Sequence, residues 1–154
     1  MKSTDKQSGL STVEFALVAL VLFLLIFGVI EIARAFFVTS LLDEATRRGA
    51  RMAVVCPIND PAISQAAAFN NTLIPDLDAG DITVEYLDTA GAIVGNPVDP
   101  TGFRLIRYVR VRVVGYQHQM FIPLAAAFFV MPEYATVLPR ESLGIPRQGA
   151  IVPC

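Results

Sequence analysis

The chain has little charge and almost no histidine. Only 17% of its 154 residues are Asp, Glu, Lys or Arg, against about a quarter in an average soluble domain. With 54% hydrophobic residues and a mean hydropathy of +0.55, part of the apolar excess must sit in lipid or in a subunit interface. The single histidine, His118, stands between Gln117 and Gln119 with no nucleophile motif beside it. GxSxG, P-loop, HExxH and EF-hand patterns are all missing. The two cysteines, Cys56 and Cys154, have no CxxC spacing, and a zinc site needs about four N or S ligands. Asp76, Asp78 and Asp81 could hold calcium loosely, but no bidentate glutamate follows at EF-hand spacing. The chain therefore reads as a non-enzyme with no catalytic residue, cofactor or metal. A net charge of −2 and a pI near 5.3 give no electrostatic footprint for nucleic acid.

What is present is one long apolar run. After a polar start with Lys2, Asp5 and Lys6, FALVALVLFLLIFGVI runs from Phe15 to Ile30 without a charge. Glu31 and Arg34 interrupt it, and Phe36, Phe37 and Val38 continue it. Phe15 to Val38 would span roughly 36 Å as a helix, enough to cross a hydrocarbon core of about 30 Å, with Glu31 and Arg34 reaching the interface. Helical patterning goes on: Val38, Leu41, Leu42, Ala45, Gly49 and Met52 form one stripe. Asp43 to Arg47 and Glu44 to Arg48 are acid-to-base pairs at i, i+4 on the other face. One continuous helix from about Val13 to Val54 is expected, ended by Cys56-Pro57. Its first half would face lipid or sister helices, and its second half would pack under a head domain.

Glu14, at the mouth of the apolar run, needs a reason, because a carboxylate in lipid is costly. It could be a plain interfacial residue. Its neighbourhood, Gly9-Leu10-Ser11-Thr12-Val13-Glu14-Phe15, also reads as a prepilin processing pattern. Glycine lets an extended backbone enter a peptidase site unobstructed, and cleavage after Gly9 would give Leu10 a new ammonium. Glu14 of one subunit could then neutralise the Leu10 amine of its neighbour inside an apolar bundle.

Residues 9–51 resemble the TadE/TadF-like minor pilin, or pseudopilin, family of the tight-adherence (Flp) pilus system. The residues that carry the resemblance are Gly9, Val13-Glu14-Phe15-Ala16-Leu17, the Gly28…Glu31…Arg34-Ala35 cluster, Ala45, Arg47 and Gly49-Ala50-Arg51. Proline is frequent in that family where Leu20 stands here, and glycine where Ala33 stands. The resemblance implies a single-pass subunit of the bacterial inner membrane, with its head in the periplasm or, within a filament, outside the cell. It would be matured by a prepilin peptidase and would work with a major pilin, a second minor pilin and an inner-membrane assembly platform.

Two features point elsewhere. Lys2 and Lys6 precede the span, whereas Arg34, Arg47, Arg48 and Arg51 follow it, and the positive-inside rule alone favours the reverse orientation. Those arginines lie on a continuing, acid-paired helix rather than in a retained basic loop. Ala33-Arg34-Ala35 also resembles a signal-peptidase site, and cutting near Ala35 would release a secreted soluble domain. A membrane-tethered binding module with no filament role is a further alternative.

The rest reads as a small α+β head. Asp60-Pro61 opens a helix over 61–74, and strands are expected at Ile82–Leu87, weakly around Ala92–Val94, and at Phe103–Val114. The last strand, about Tyr134–Leu143, contains Pro139 and so belongs at an edge or a bulge. In the third of these, Phe103, Leu105, Arg107, Val109, Val111 and Val113 would share one face. Arg104, Ile106, Tyr108, Arg110 and Arg112 would take the other. That basic face reads as a solvated or subunit-facing surface rather than a single-strand nucleic-acid site. MFIPLAAAFFVM, Met120 to Met131, is too short to span a bilayer. It reads as a buried helix in an ordinary core or as a docking patch for another pilin. In an oxidising compartment Cys56 and Cys154 read as a disulfide, and in a reducing one as two buried thiols.

The expected architecture is thus a long N-terminal helix packed on a small antiparallel sheet, pilin-like in outline. The segments are a leader (1–9), a transmembrane helix (10–38), its amphipathic continuation (39–56) and an extracytoplasmic head (57–154).

Overall fold

The computed structural model describes residues 8–121, 128–145 and 153–154. Helix α1 runs unbroken over Ser8–Ala53. No proline occurs before Pro57, so nothing in the sequence removes a rung of its hydrogen-bond ladder. The chain then turns through Cys56, whose N–H donates to Met52 O at 2.8 Å.

The head follows as α2 (Pro61–Ala67), β1 (Ile82–Leu87), α3 (Pro100–Leu105), β2 (Tyr108–Val113), β3 (Gln117–Gln119), β4 (Phe128–Val130) and β5 (Tyr134–Pro139). β1, β2 and β5 form an antiparallel sheet in the order β1-β2-β5, and β3 pairs with β4 in a separate two-stranded ribbon. The fold is α+β, with the upper half of α1 packed on α2, β2 and β5. Leu42, Ala45, Thr46, Ala50 and Ala53 on α1 are fully covered, as are Val109 and Val111 on β2. Small residues make this closeness possible. A Cβ added at Gly49 would lie 2.9 Å from Ala67 Cβ and 3.0 Å from Val111 Cγ1. Across the same interface Thr46 Oγ1 lies 2.8 Å from Thr136 Oγ1 on β5.

Several expectations shift. The helix opened by Asp60 ends at Ala67, because Phe69, Asn70 and Asn71 all take left-handed φ values of 51–58°, which asparagine tolerates best among non-glycine residues. The expected strand at Phe103–Val114 begins only at Tyr108. Its first residues form α3, where Asp99 accepts from Thr101 N at 3.0 Å and Pro100 sits at the first helical position. The expected faces change accordingly: Ile106 is fully buried and Leu105 is 59% exposed. The segment around Ala92–Val94 contributes a single bridge, Leu87 to Ile93. β5 stops at Pro139 and is indeed an edge strand. For Met120–Met131, residues 122–127 lie outside the described residues. Phe128–Val130 is a strand rather than a helix, and Met131 is buried.

Past β5 the chain returns across the exit of α1. Leu143 N donates to Val54 O at 3.0 Å and Gly144 N to Val55 O at 2.7 Å. Gly144 has φ +78° and is so close to Pro57 that a Cβ would lie 2.6 Å from its Cα. Cys56 and Cys154 are joined in a disulfide that closes a loop of 98 residues in sequence separation. The carboxylate of Asp60 serves both neighbours, capping α2 through Ala62 N at 2.9 Å and accepting from Cys154 N at 2.9 Å.

Candidate functional site

The lower half of α1 carries the residues singled out in the sequence as candidates for processing and assembly. Gly9, Leu10, Glu14 and Phe15 all lie on its first two turns. The bond after Gly9 falls in the first turn, whose N–H groups have no intrahelical partner, so it is the easiest part of the helix to unwind. Leu10 and Glu14 are one turn apart. Glu14 is exposed and makes no ion pair among the described residues. Phe15 is 74% exposed.

Above them the helix presents bare apolar side chains. Leu17, Val18, Leu25, Val29 and Ile32 are all at least 60% exposed. One helix among the described residues is long and apolar enough to cross a membrane, and only 6% of its most apolar stretch is covered by the rest of the chain. A buried core helix would be mostly covered. This one fits a single-pass anchor.

The covering begins abruptly at Glu31, which is 5% exposed although apolar neighbours on either side are open. Its carboxylate receives Arg34 NH1 at 2.9 and 3.0 Å. His118 Nε2 on β3 lies 3.3 Å from Oε1, and the Phe121 N–H donates to Oε2 at 3.3 Å. The Arg34 guanidinium in turn sits 3.9 Å from the centre of the Phe121 ring. A cleft of about 310 Å³ opens beside this cluster, lined by Arg34, Phe37, Leu73, Asp76 and Tyr116. Sequence reasoning gave His118 no role and placed Glu31 and Arg34 where they could reach the interface, without a partner from the head. The structure turns Glu31 inward under the head. The available signal was the charge itself, since an acid within an apolar run must find partners.

The basic strand is also spoken for. Glu85 stands opposite Arg110 across β1 and β2 and binds Arg110 NH2 at 2.5 Å and Arg112 NH2 at 2.6 Å. Arg112 NH1 reaches Glu133 at 2.9 Å. That hydrogen bond, with the field of Glu85 and Glu133, raises the Arg112 pKa above its ordinary value against the cost of burial. The expected solvated or subunit-facing row of arginines is therefore, at Arg110 and Arg112, an internal ion-pair network. Asp78 and Asp81, considered for calcium, form a reciprocal cap: Gly80 N donates to Asp78 Oδ1 at 2.6 Å and Asp78 N to Asp81 Oδ2 at 3.0 Å.

Residues 9–51 match the family model of TadE-like proteins. The matched segment covers the exposed lower half of α1, the Glu31–Arg34 turn and most of the buried upper half, and it stops before the head. TadE-like proteins are a structural, non-enzymatic pilin family linked to the tight-adherence pilus. No curated protein and no solved structure matches the chain. Gly49, where the sheet and α2 close on α1, is part of the TadE-like segment, so that segment also contains the seat on which the head rests.

Proposed function

We propose that this chain is a minor pilin or pseudopilin of a tight-adherence pilus, held in the bacterial inner membrane by the lower half of α1. A prepilin peptidase removes residues 1–9, and Leu10 becomes the mature N-terminus. The span over 10–38 holds the subunit until it enters, or primes, a filament with a major pilin and a second minor pilin on the assembly platform. Glu14 then answers the Leu10 ammonium of a neighbouring subunit, so that neither charge is left alone among apolar helices.

One observation carries this reading. An exposed carboxylate with no ion-pair partner among the described residues stands at the foot of a bare apolar helix, inside the TadE-like segment. Release of a soluble domain at Ala35 is less well supported. It would remove Glu31 and Arg34, leaving His118, which is 3% exposed, without its carboxylate.

Replacing Glu14 tests the proposal in the native host. With Glu14→Ala the chain accumulates in the membrane fraction at its usual level but is missing from sheared filaments. Incorporation at the unsubstituted level would refute the pairing and leave a tethered binding module as the better reading.

A further inference from the structure

We infer that the head does not stand clear of the membrane. Its lower edge, formed by Phe121, two residues past β3, together with Phe36 and Phe37 of α1, is seated in the bilayer interface, and the Glu31–Arg34–His118 cluster holds it there. The inference rests on the membrane-anchor reading and adds where the head sits.

The argument starts from length. The charge-free run between Glu14 and Glu31 rises only about 24 Å as a helix, whereas the hydrocarbon core is about 30 Å thick. With Glu14 at one boundary, Glu31 lies at or just below the other, and any tilt of the helix lowers it further. A carboxylate at that depth must be neutralised and solvated by protein. Glu31 meets this requirement: it is 5% exposed, paired with Arg34, within 3.3 Å of His118 Nε2 and bonded by the Phe121 N–H at 3.3 Å.

Those last two contacts fix the head's depth. Because the Phe121 N–H is hydrogen-bonded to Glu31, the chain two residues past β3 lies level with that carboxylate. Phe121 is 69% exposed, Phe36 69% and Phe37 60%, so three aromatic side chains are open near the foot of the head, Phe121 level with Glu31 and Phe36 and Phe37 about 8 Å further along α1. Their surface is continuous with the bare apolar face of α1 below. Arg34, whose charge is met by Glu31, stacks over Phe121 and needs no anionic headgroup. Aromatic side chains at the interface are a common anchoring device.

The chain has no tryptophan, so single-tryptophan reporters give an unambiguous depth reading. Phe121→Trp, Phe23→Trp and Val98→Trp are made separately in the full chain. Each is reconstituted at low density in phosphatidylcholine vesicles containing lipids brominated either near the headgroup or at the chain end. Phe121 is exposed, so the change does not disturb the core, and tryptophan preserves the cation–π contact. Val98 lies by Pro57 at the far end of the head.

The expected result is loss of F121W emission to the shallow quencher more than to the deep one, the reverse order for F23W, and no loss for V98W. F121W emission that is untouched while F23W is quenched would overturn the seating and leave the anchor standing. No quenching of F23W would remove the anchor itself, and the seating with it. F121W emission that shifts only as vesicles are crowded with protein would mark a face for a second copy and overturn the lipid assignment.

Discussion

One helix lives in two environments. From Phe15 to Ile30, α1 offers large side chains such as Phe15, Val18, Leu25 and Val29, at least 60% exposed among the described residues. From Val38 to Ala53 it offers Ala45, Thr46, Gly49, Ala50 and Ala53, all buried against α2 and the sheet. The lower half is bulky, which suits the lipid or sister helices of the proposed anchor, since these adapt to its surface. The upper half is small because β2 and α2 are rigid and must come close. Burial therefore tracks side-chain size inversely here, and the boundary is Glu31, which is held by Arg34 and by His118 and Phe121 of the head.

Four experiments would break or sharpen this contrast, each read by unfolding of the full chain in detergent micelles followed by near-ultraviolet circular dichroism. Removing the disulfide with Cys154→Ser should have the largest effect. It frees a loop of 98 residues in sequence separation and should cost about 4 kcal/mol, all of it in the head, with the helicity of the lower half unchanged. Next, Leu42→Ala empties a fully buried position and should cost about 3 kcal/mol. Leu22→Ala, at a residue 53% exposed, should leave head unfolding where it was. Equal losses from both would abolish the distinction between the halves.

Gly49→Val should cost about 2 kcal/mol by overpacking, since even a Cβ there meets Ala67 at 2.9 Å. Gly28→Val should cost the head nothing, because a Cβ at Gly28 meets nothing within 4 Å.

The smallest effect is alkaline. Burial raises the pKa of Tyr86 and Tyr116 above the ordinary 10.0, for Tyr116 with help from Asp76. Folded values above the unfolded one mean that their contribution is full below about pH 10 and is lost as pH rises through the folded values. A head whose stability rose over that window would contradict this.

Much of the contrast was legible beforehand, for specific reasons. The stripe from Val38 through Met52 has helical spacing and no proline, so α1 ends within a residue of expectation. Pro139 marks an edge strand because it cannot donate to a ladder. α3 was missed although Asp99-Pro100 repeats the Asp60-Pro61 signature. Glycine stands at position 102 within α3 because of a close approach, since a Cβ there would lie 1.9 Å from Asn96 O. The left-handed run at Phe69–Asn71 is a tertiary choice that a helical pattern does not reveal. Glu31 and His118 are distant in sequence, so only folding shows that the acid interrupting the apolar run and the one histidine answer each other.

The functional account depends on the lower half of α1 ending at a new ammonium one turn before Glu14. The most direct measurement is the mass of the N-terminal peptide of the chain isolated from its native host. A peptide beginning at Leu10 is predicted. One beginning at Met1 in the working form would contradict the account, because Glu14 would then have no amine to meet.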